Sequence, residues 1–189
     1  MKYSIIYADP PWKAVDSGTG MRGTSDLGKR YKGVMTIEEI EQLPVRDIAA
    51  ENSILFLWVT FPRLLEGIRA MQAWGFKYKS LGFNWVKENK KSDSLFWGMG
   101  YYTRQNSEIC LIGARGKFPR QARNVHSVVI SKIEEHSKKP DCIRDKILQI
   151  CGDLPRVELF ARQATPGWDV WGNEVASTIE LEANKNENI

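Results

Sequence analysis

The chain has 189 residues, of which 42% are hydrophobic and 26% charged, the composition of a single globular domain with a sizeable core. Three scattered cysteines without a CxxC pair, and only two histidines, indicate neither a disulfide framework nor a metal site. No apolar stretch approaches the ~20 residues of a membrane span, and no signal peptide is recognisable, so a cytoplasmic protein is expected. The net charge of +4 is compatible with nucleic-acid binding without establishing it.

The first quarter of the chain predicts a strand, a loop and a helix in turn. Residues 3–8 form a short apolar run that indicates a buried strand. Residues 13–33 are rich in Gly, Ser, Lys and Arg and lack an apolar period, which is typical of a long functional or disordered loop. Thr36 and Glu39 have the spacing of a capping box, which opens a helix that Pro44 breaks or kinks.

The middle of the chain continues the alternation of strand and helix. Residues 53–59 predict a buried strand, and Pro62 then opens a helix that Gly75 caps. Residues 76–86 alternate loosely and indicate a strand. Residues 88–106 are polar and then aromatic, and we expect a second long loop there.

The last part of the chain predicts two more strands around a helix. Residues 107–114 and 157–160 are the strands, and the helix begins at Pro140 and ends at Gly152. Strands that alternate with helices favour an α/β fold with a mostly parallel, doubly wound sheet.

The tetrapeptide Asp9-Pro10-Pro11-Trp12 directly follows the first predicted strand, and ligands of open α/β sheets bind at the carboxyl ends of strands. An exocyclic amine on a purine or pyrimidine is a poor nucleophile, because its lone pair is delocalised into the ring. An acceptor for its N–H favours the pyramidal, more nucleophilic form. The Asp9 carboxylate and the Pro10 carbonyl are such acceptors on a backbone that the prolines hold rigid, and Trp12 offers a stacking face. The alternative is a strand and an N-capped turn with Trp12 in the core.

With these residues the sequence resembles the DPPW-type S-adenosylmethionine-dependent adenine-N6 methyltransferases. This family includes bacterial and phage DNA enzymes and the catalytic subunit of the eukaryotic mRNA adenosine methyltransferase. Each motif is weak alone, but together they are specific, and they run in family order over roughly residues 1 to 175. The motifs are Asp9-Pro10-Pro11-Trp12, Tyr31 with Met35-Thr36-Ile37-Glu38-Glu39-Ile40, Leu55-Phe56-Leu57-Trp58-Val59, Trp74-Gly75-Phe76, Trp85-Val86-Lys87, Glu108-Ile109-Cys110-Leu111-Ile112-Gly113, His136-Ser137-Lys138-Lys139-Pro140-Asp141, Glu158-Leu159-Phe160-Ala161-Arg162 and Gly167-Trp168-Asp169-Val170-Trp171-Gly172-Asn173-Glu174.

The resemblance implies a single-domain, Rossmann-like methyltransferase fold. The predicted domain covers residues 1–175, and a polar C-terminal tail covers residues 176–189. In longer relatives a segment before the first strand contributes to the adenine pocket of the cofactor. Only eight residues precede Asp9 here, so that contact is expected to come from elsewhere or to be weaker.

A glycine-rich Rossmann fingerprint is absent, and Gly18-Thr19-Gly20 does not follow a strand. The resemblance, however, implies a set of cofactor-binding residues. In the family the lysine before Pro-Asp, here Lys139, meets the cofactor carboxylate. Residues matching the family's ribose contacts are Arg162, Asn173 and Glu174, the last standing where some members have Gln, and the cofactor set is completed by Asp9 and Phe160. The alternatives are a solvated surface lysine at 139 and a turn residue at 173.

Six residues are candidates for holding the nucleic acid. They are Trp12, Tyr31, Lys87, Tyr101, Tyr102 and Arg104. The aromatic part of the second loop suits stacking and phosphate contact, and the alternative is a hydrophobic cluster that pins the loop down. Residues 115–123 hold four cations and no acid, which fits either a nucleic-acid contact or a solvated face.

The expected function is transfer of a methyl group from S-adenosylmethionine to the N6 amine of adenine in DNA. No metal is needed, and a base in a duplex must first be extruded from the stack. Two alternatives remain: the same reaction on RNA, or a non-catalytic nucleic-acid-binding subunit of the same fold. The expected partner is nucleic acid, with DNA favoured over RNA, and a homodimer is possible.

Overall fold

A computed structural model describes residues 1–12, 33–134 and 138–181. The strands are β1 (Tyr3–Ala8), β2 (Ala49–Val59), β3 (Lys77–Glu88), β4 (Ser107–Arg115), β5 (Val128–Lys132), β6 (Arg156–Leu159) and β7 (Asp169–Trp171). The helices are α1 (Ile37–Glu41), α2 (Val45–Ile48), α3 (Leu64–Ala73) and α4 (Cys142–Cys151), and a 3-10 turn, Phe61–Arg63, leads into α3. The loop predicted at 13–33 lies outside the described residues except for its last residue.

The described strands form one sheet in the order β5-β3-β4-β2-β1-β6-β7. Strand β1 pairs in parallel with both β2 and β6, and the parallel pairings β6–β7 and β3–β5 extend the sheet on either side. Within this sheet β4 is the strand that runs the other way, because it pairs antiparallel with β2 and with β3. One edge of the sheet therefore gathers the carboxyl ends of six strands and the amino end of β4.

Both faces of the sheet are covered, which explains why the central strands are continuous apolar runs. Along β1, Ile6 and Ala8 pack into a core on one face, with α1 and α3. Ile5 and Tyr7 pack into a second core on the other face, with α4. Helices on both faces of a mostly parallel sheet confirm the predicted α/β, doubly wound, Rossmann-like fold.

The helix ends follow the signals in the sequence. The Thr36 amide donates to Glu39 Oε2 at 2.7 Å, and the Glu39 amide donates to Thr36 Oγ1 at 3.2 Å, so the predicted capping box opens α1. Gly75 and Gly152 follow α3 and α4 with φ of 84° and 81°, a conformation that favours glycine. Pro44 breaks the first helix and stands as the N-cap of the separate helix α2.

Two strands that the sequence did not predict complete the sheet. β5 is an edge strand that leaves Val128 and Ile130 exposed, so its residues lack the apolar alternation of a half-buried strand. β7 is only three residues long and gives no period to recognise. Both are held by pairing with a parallel neighbour, a non-local contact that local patterns do not contain.

The start of the predicted tail packs against the fold. The amide of Thr178 donates to the carbonyl of Val170 at 2.8 Å, and Leu181 is only 5% exposed in the core beneath α3. Residues 182–189 lie outside the described residues. The domain boundary at residue 175 stays a prediction.

Among the described helices, none is long and apolar enough to cross a membrane.

Gly67 marks the tightest contact between α3 and β2, which gives the first testable prediction. A Cβ at this position collides with Cγ1 of Val59, a β-branched side chain that has little freedom to move away. Gly67→Ala is expected to lower the free energy of unfolding by about 1–2 kcal/mol, since overpacking outweighs the better helix propensity of alanine.

Urea unfolding of the purified variant measures this effect. Gln72→Ala, at an exposed position of the same helix, is the control and should change stability by less than about 0.5 kcal/mol. In a Val59→Ala background Gly67→Ala should cost less, and an equal cost in both backgrounds would contradict the proposed clash.

Candidate active site

A cavity of about 410 Å³ opens at the sheet edge where the parallel strands end. It lies where the chain connections from β1 and from β6 diverge, the usual ligand position in open α/β sheets. Its walls come from the segments after β1, β2, β6 and β7, from the start of β4, and from residues that precede α1 and α4. The side chains that line it are mainly Asp9, Pro10, Pro11, Trp12, Met35, Trp58, Glu108, Lys139, Phe160, Arg162, Trp171, Asn173 and Glu174.

The tetrapeptide forms the inner wall of this cavity. The amide of Asp9 donates to the carbonyl of Leu159 at 3.5 Å, which ties the end of β1 to β6. The amide of Trp12 donates to the carbonyl of Pro10 at 2.9 Å, so this carbonyl retains one of its two lone pairs for another donor.

The ring of Trp12 is fixed in the wall. Its indole Nε1 donates to the carbonyl of Trp58 at 3.0 Å, at the end of β2. The backbone of the tetrapeptide also pairs with the segment before α1, where the amide of Met35 donates to the carbonyl of Pro11 at 3.1 Å. Trp12 therefore lines the cavity while part of its ring packs on the core, and its use as a stacking face for a base stays a prediction.

A line of alternating charges runs from the tetrapeptide to β3. Lys139 Nζ lies 2.7 Å from Asp9 Oδ2 and 3.2 Å from Glu108 Oε2, and it also lies over the ring of Trp58. Glu108 in turn pairs with Lys87. The side chain of Lys139 is 9% exposed, so the alternative of a solvated surface lysine does not describe it.

The same line of charges shifts the pKa values of its members. Burial raises the pKa of Asp9, although the attraction of Lys139 works against that rise. Burial alone would raise the pKa of Glu108 too, but the two lysines outweigh it and the pKa of Glu108 is lowered. For Lys139 burial is outweighed by Asp9 and Glu108, so its pKa is raised and the side chain remains charged.

A second cavity of about 160 Å³ adjoins the first and shares Asp9 and Lys139 with it. Arg144 of α4 forms a bidentate salt bridge with Glu158 of β6, with Nε donating to Oε2 at 2.7 Å and Nη2 donating to Oε1 at 2.8 Å. Its guanidinium also lies over the ring of Tyr7. This buried pair forms the back wall of the second cavity and joins α4 to the sheet below the site.

The outer rim comes from the last strands. Phe160 follows β6 with φ of 63°, a left-handed conformation that is uncommon outside glycine, and its ring meets Trp171 edge-on at 5.3 Å. Arg162 Nε lies 3.8 Å from Glu174 Oε1. Asn173 packs so closely on Gly33 that a Cβ there would lie 2.5 Å from its amide nitrogen.

The structure brings nine of the predicted site residues together around one cavity. They are Asp9, Pro10, Pro11, Trp12, Lys139, Phe160, Arg162, Asn173 and Glu174. Their convergence from four separate stretches of sequence is the main structural support for the predicted site.

Four predicted substrate residues lie elsewhere, and Tyr31 is outside the described residues. Lys87 is 15% exposed and reaches the site only through Glu108. Tyr101 and Tyr102 are exposed on the loop between β3 and β4, and Arg104 there stacks on Trp97 with 4.6 Å between the guanidinium carbon and the ring centroid.

The basic stretch 115–123 begins at the opposite edge of the sheet. The guanidinium of Arg115 donates to the carbonyl of Arg46 at 2.8 Å, and the amide of Lys117 donates to Asn52 Oδ1 at 2.7 Å. The guanidinium of Arg115 is thus held at the edge opposite the cavity, and the backbone of Lys117 is tied to β2 at the same edge.

Glu108, Trp58 and Trp171 are among the lining residues that were missed as site residues. Each belongs to a motif that carried the family resemblance, yet each had the appearance of a strand residue. Glu108 had one usable signal, a carboxylate at the start of an apolar strand, but its placement depends on the reversed direction of β4.

Groups of three or more His, Cys, Asp or Glu side chains that could hold a metal ion do not occur among the described residues.

Known proteins are similar to this sequence over most of its length. The MT-A70 family profile matches residues 3–174. The type II methyltransferase M.MunI of a Mycoplasma species is 34% identical over 192 residues, covering 92% of this chain and 78% of that protein.

More distant relatives are much longer proteins. The N(6)-adenosine-methyltransferase MT-A70-like protein of Arabidopsis thaliana is 29% identical, and the alignment covers 92% of this chain and 24% of that protein. The human N(6)-adenosine-methyltransferase catalytic subunit METTL3 is 26% identical, with 92% and 28% covered. Since the family profile spans the whole sheet and the cavity at its edge, the chain belongs to the MT-A70 family of methyltransferases.

Proposed function

We propose that this protein transfers the methyl group of S-adenosylmethionine to the N6 amine of adenine in DNA. The observation that carries the proposal is the Asp9 carboxylate beside the Pro10 carbonyl, both on the wall of a cavity that also holds an ion-paired lysine and several aromatic rings. Two acceptors on a rigid backbone suit an amine that must give up its planarity before it can attack.

The residues present fit the cofactor that the family uses. The cavity has the volume of a small-molecule site, with apolar walls from Met35, Trp58 and Phe160. Three carboxylates, on Asp9, Glu108 and Glu174, outnumber the two cations in its lining, Lys139 and Arg162, which favours a positively charged sulfonium group. In this proposal Lys139 meets the cofactor carboxylate, and Arg162, Asn173 and Glu174 reach the ribose.

When bound, the cofactor supplies an electrophilic methyl group on sulfur. Asp9 accepts a hydrogen bond from one N–H of the target amine, and the remaining lone pair of the Pro10 carbonyl accepts from the other. Both acceptors are in place before the substrate arrives, so no energy of reorganisation is required at the moment of reaction. Trp12, fixed by its bond to Trp58, provides the stacking face for the base.

The methylated amine carries a positive charge and sheds a proton readily. No dedicated base is therefore required, and the proposal assigns none. The carboxylate of Asp9 stabilises the charge that develops on the amine, and it does so in a partly buried site where the interaction is stronger than in water.

DNA is favoured over RNA because of how much of each relative aligns with this chain. The alignment with the type II methyltransferase M.MunI covers most of both chains. The relatives named for adenosine methylation are about four times as long as the aligned region, so most of each lies outside what this chain shares. A homodimer and a cytoplasmic location remain predictions of the sequence.

A non-catalytic binding subunit is the second candidate. It is disfavoured because the chain keeps both the tetrapeptide and the lysine, and because Lys139 and Asp9 are in contact across the site. Calorimetric titration with S-adenosylmethionine separates the two, since a binding subunit without a cofactor site would give no heat.

The aromatic loop, residues 95–104, is proposed as the surface that holds the nucleic acid around the target base. It follows β3, whose end lies at the same edge of the sheet as the cavity, and the amide of Phe96 donates to the carbonyl of Lys87. Trp97 is 70% and Tyr102 92% exposed. Gly98 packs against the backbone of Gln105 within the loop, so a side chain at this position would clash with it.

Replacing Asp9 tests the proposed chemistry. Asp9→Asn keeps the shape but loses the charged acceptor, and kcat is expected to fall on the order of 10²-fold or more. Methyl transfer from labelled S-adenosylmethionine to duplex DNA, single-stranded DNA and RNA measures the activity, and mass spectrometry identifies N6-methyladenine. An Asp9→Asn enzyme as active as the parent would remove Asp9 from the mechanism, and methylation of RNA alone would refute the choice of DNA.

Replacing an exposed ring tests the aromatic loop. Stacking of a base is worth roughly 1–3 kcal/mol, so Trp97→Ala is expected to raise KM for DNA about 10-fold while leaving cofactor affinity unchanged. Leu65→Ala removes an equally exposed apolar side chain from α3 and serves as the matched control. If both variants bind DNA like the parent, the loop is instead the expected hydrophobic cluster or a contact between two copies of the chain, and sedimentation detects the second case.

The ionisation of Asp9 predicts a pH effect. Because Lys139 lowers the pKa of Asp9, Lys139→Met should raise that pKa further. Since the ionised carboxylate is the acceptor, activity is lost as pH falls through this pKa, and the acidic limb of kcat should move to higher pH. The profile is measured with saturating cofactor and DNA, and Lys132→Met, a surface lysine paired with Asp93, should leave the limb in place.

A further inference from the structure

Glu108 is a partly buried acidic residue of the cavity wall that makes no direct contact with substrate in the proposed mechanism. It is the second residue of β4, whose reversed direction places its amino end beside the carboxyl ends of β2 and β3. Its side chain is 16% exposed and pairs with two lysines, one in the site and one on β3. Burying a charged carboxylate costs free energy, and only well-placed ion pairs offset that cost.

The geometry divides the contacts of Lys139 between two carboxylates. Lys139 bonds to Asp9 Oδ2, while Asp9 Oδ1 has no hydrogen-bond partner among the described residues. Lys139 contacts Oε2 of Glu108, and Lys87 pairs with the other carboxylate oxygen, Oε1. Glu108 is therefore held by a lysine on each side. The carboxylate of Asp9 is thus linked to that of Glu108 through the shared contact with Lys139.

We propose that Glu108 is a positioning residue for methyl transfer: it holds Lys139 so that Lys139 fixes one oxygen of Asp9 and leaves the other to accept from the target amine. The proposal rests on the proposed function. Lys87, which the sequence suggested as a substrate contact, has in this arrangement the role of orienting Glu108.

The charges around Asp9 give the expected sign of a pH effect. Glu108 raises the pKa of Asp9 by like-charge repulsion, whereas Lys139 and Arg162 lower it. The other titratable groups that interact electrostatically with Asp9 are Tyr7, Cys110 and Glu158, from β1, β4 and β6. Removing the charge of Glu108 should therefore make Asp9 easier to ionise.

Two substitutions separate charge from position. Glu108→Gln keeps the size and loses the charge, so kcat should fall roughly 10-fold and its acidic limb should move to lower pH, opposite to Lys139→Met. Glu108→Asp keeps the charge but withdraws the carboxylate by one methylene, so kcat should fall while the limb remains near that of the parent. KM for the cofactor measures separately whether the proposed contact of Lys139 with the cofactor carboxylate is retained.

Controls keep this test independent of folding and of the proposed function. Glu51→Gln, an exposed glutamate at the opposite edge of the sheet, should behave like the parent. If Glu108→Gln unfolds because Lys87 is left unpaired, the double variant Glu108→Gln/Lys87→Met removes both charges and carries the same prediction for the acidic limb. An active parent with an unmoved limb in folded Glu108→Gln overturns the role of Glu108, whereas an inactive parent overturns the proposed function instead.

Discussion

The ion pair between Asp9 and Lys139 is the contact on which the organisation of the site depends. It joins the end of the central strand to the segment that leads into α4, across a sequence separation of 130 residues. In a largely buried setting each partner would be costly to leave alone, so the two segments are held at a fixed separation. The cavity walls on either side of this pair are positioned by it.

The reversed strand β4 gives the fold its second contribution to the site. In an all-parallel sheet the amino end of this strand would lie at the opposite edge, and its first carboxylate would be far from Asp9. Because β4 runs antiparallel to β2 and β3, Glu108 lies at the edge of the sheet where the cavity opens, within reach of two lysines. Four alternating charges then span the ends of three strands and one inter-element segment.

Local patterns in the sequence were sufficient for the central strands, the helix caps and the place of the tetrapeptide. An apolar run that stops at two prolines identifies the end of a strand, and that end is where the site lies. The position of Lys139 came from family resemblance, since nothing local distinguishes it from a surface lysine. Glu108 was missed because strand direction is decided by non-local pairing, as were the edge strand β5 and the short strand β7.

The pairing of β1 with β6 affects how the domain folds during synthesis. Ile5 lies opposite Arg156, so the central strand pairs with a strand that is synthesised much later. Contacts of such long separation close late and slow the folding of a domain. The tetrapeptide and the lysine that pairs with it are synthesised 130 residues apart, and the rim of the cavity is made later still. A nascent chain that has not reached Lys139 therefore lacks the ion-pair partner of Asp9, and the cavity can close only after residues 160–174 have been made.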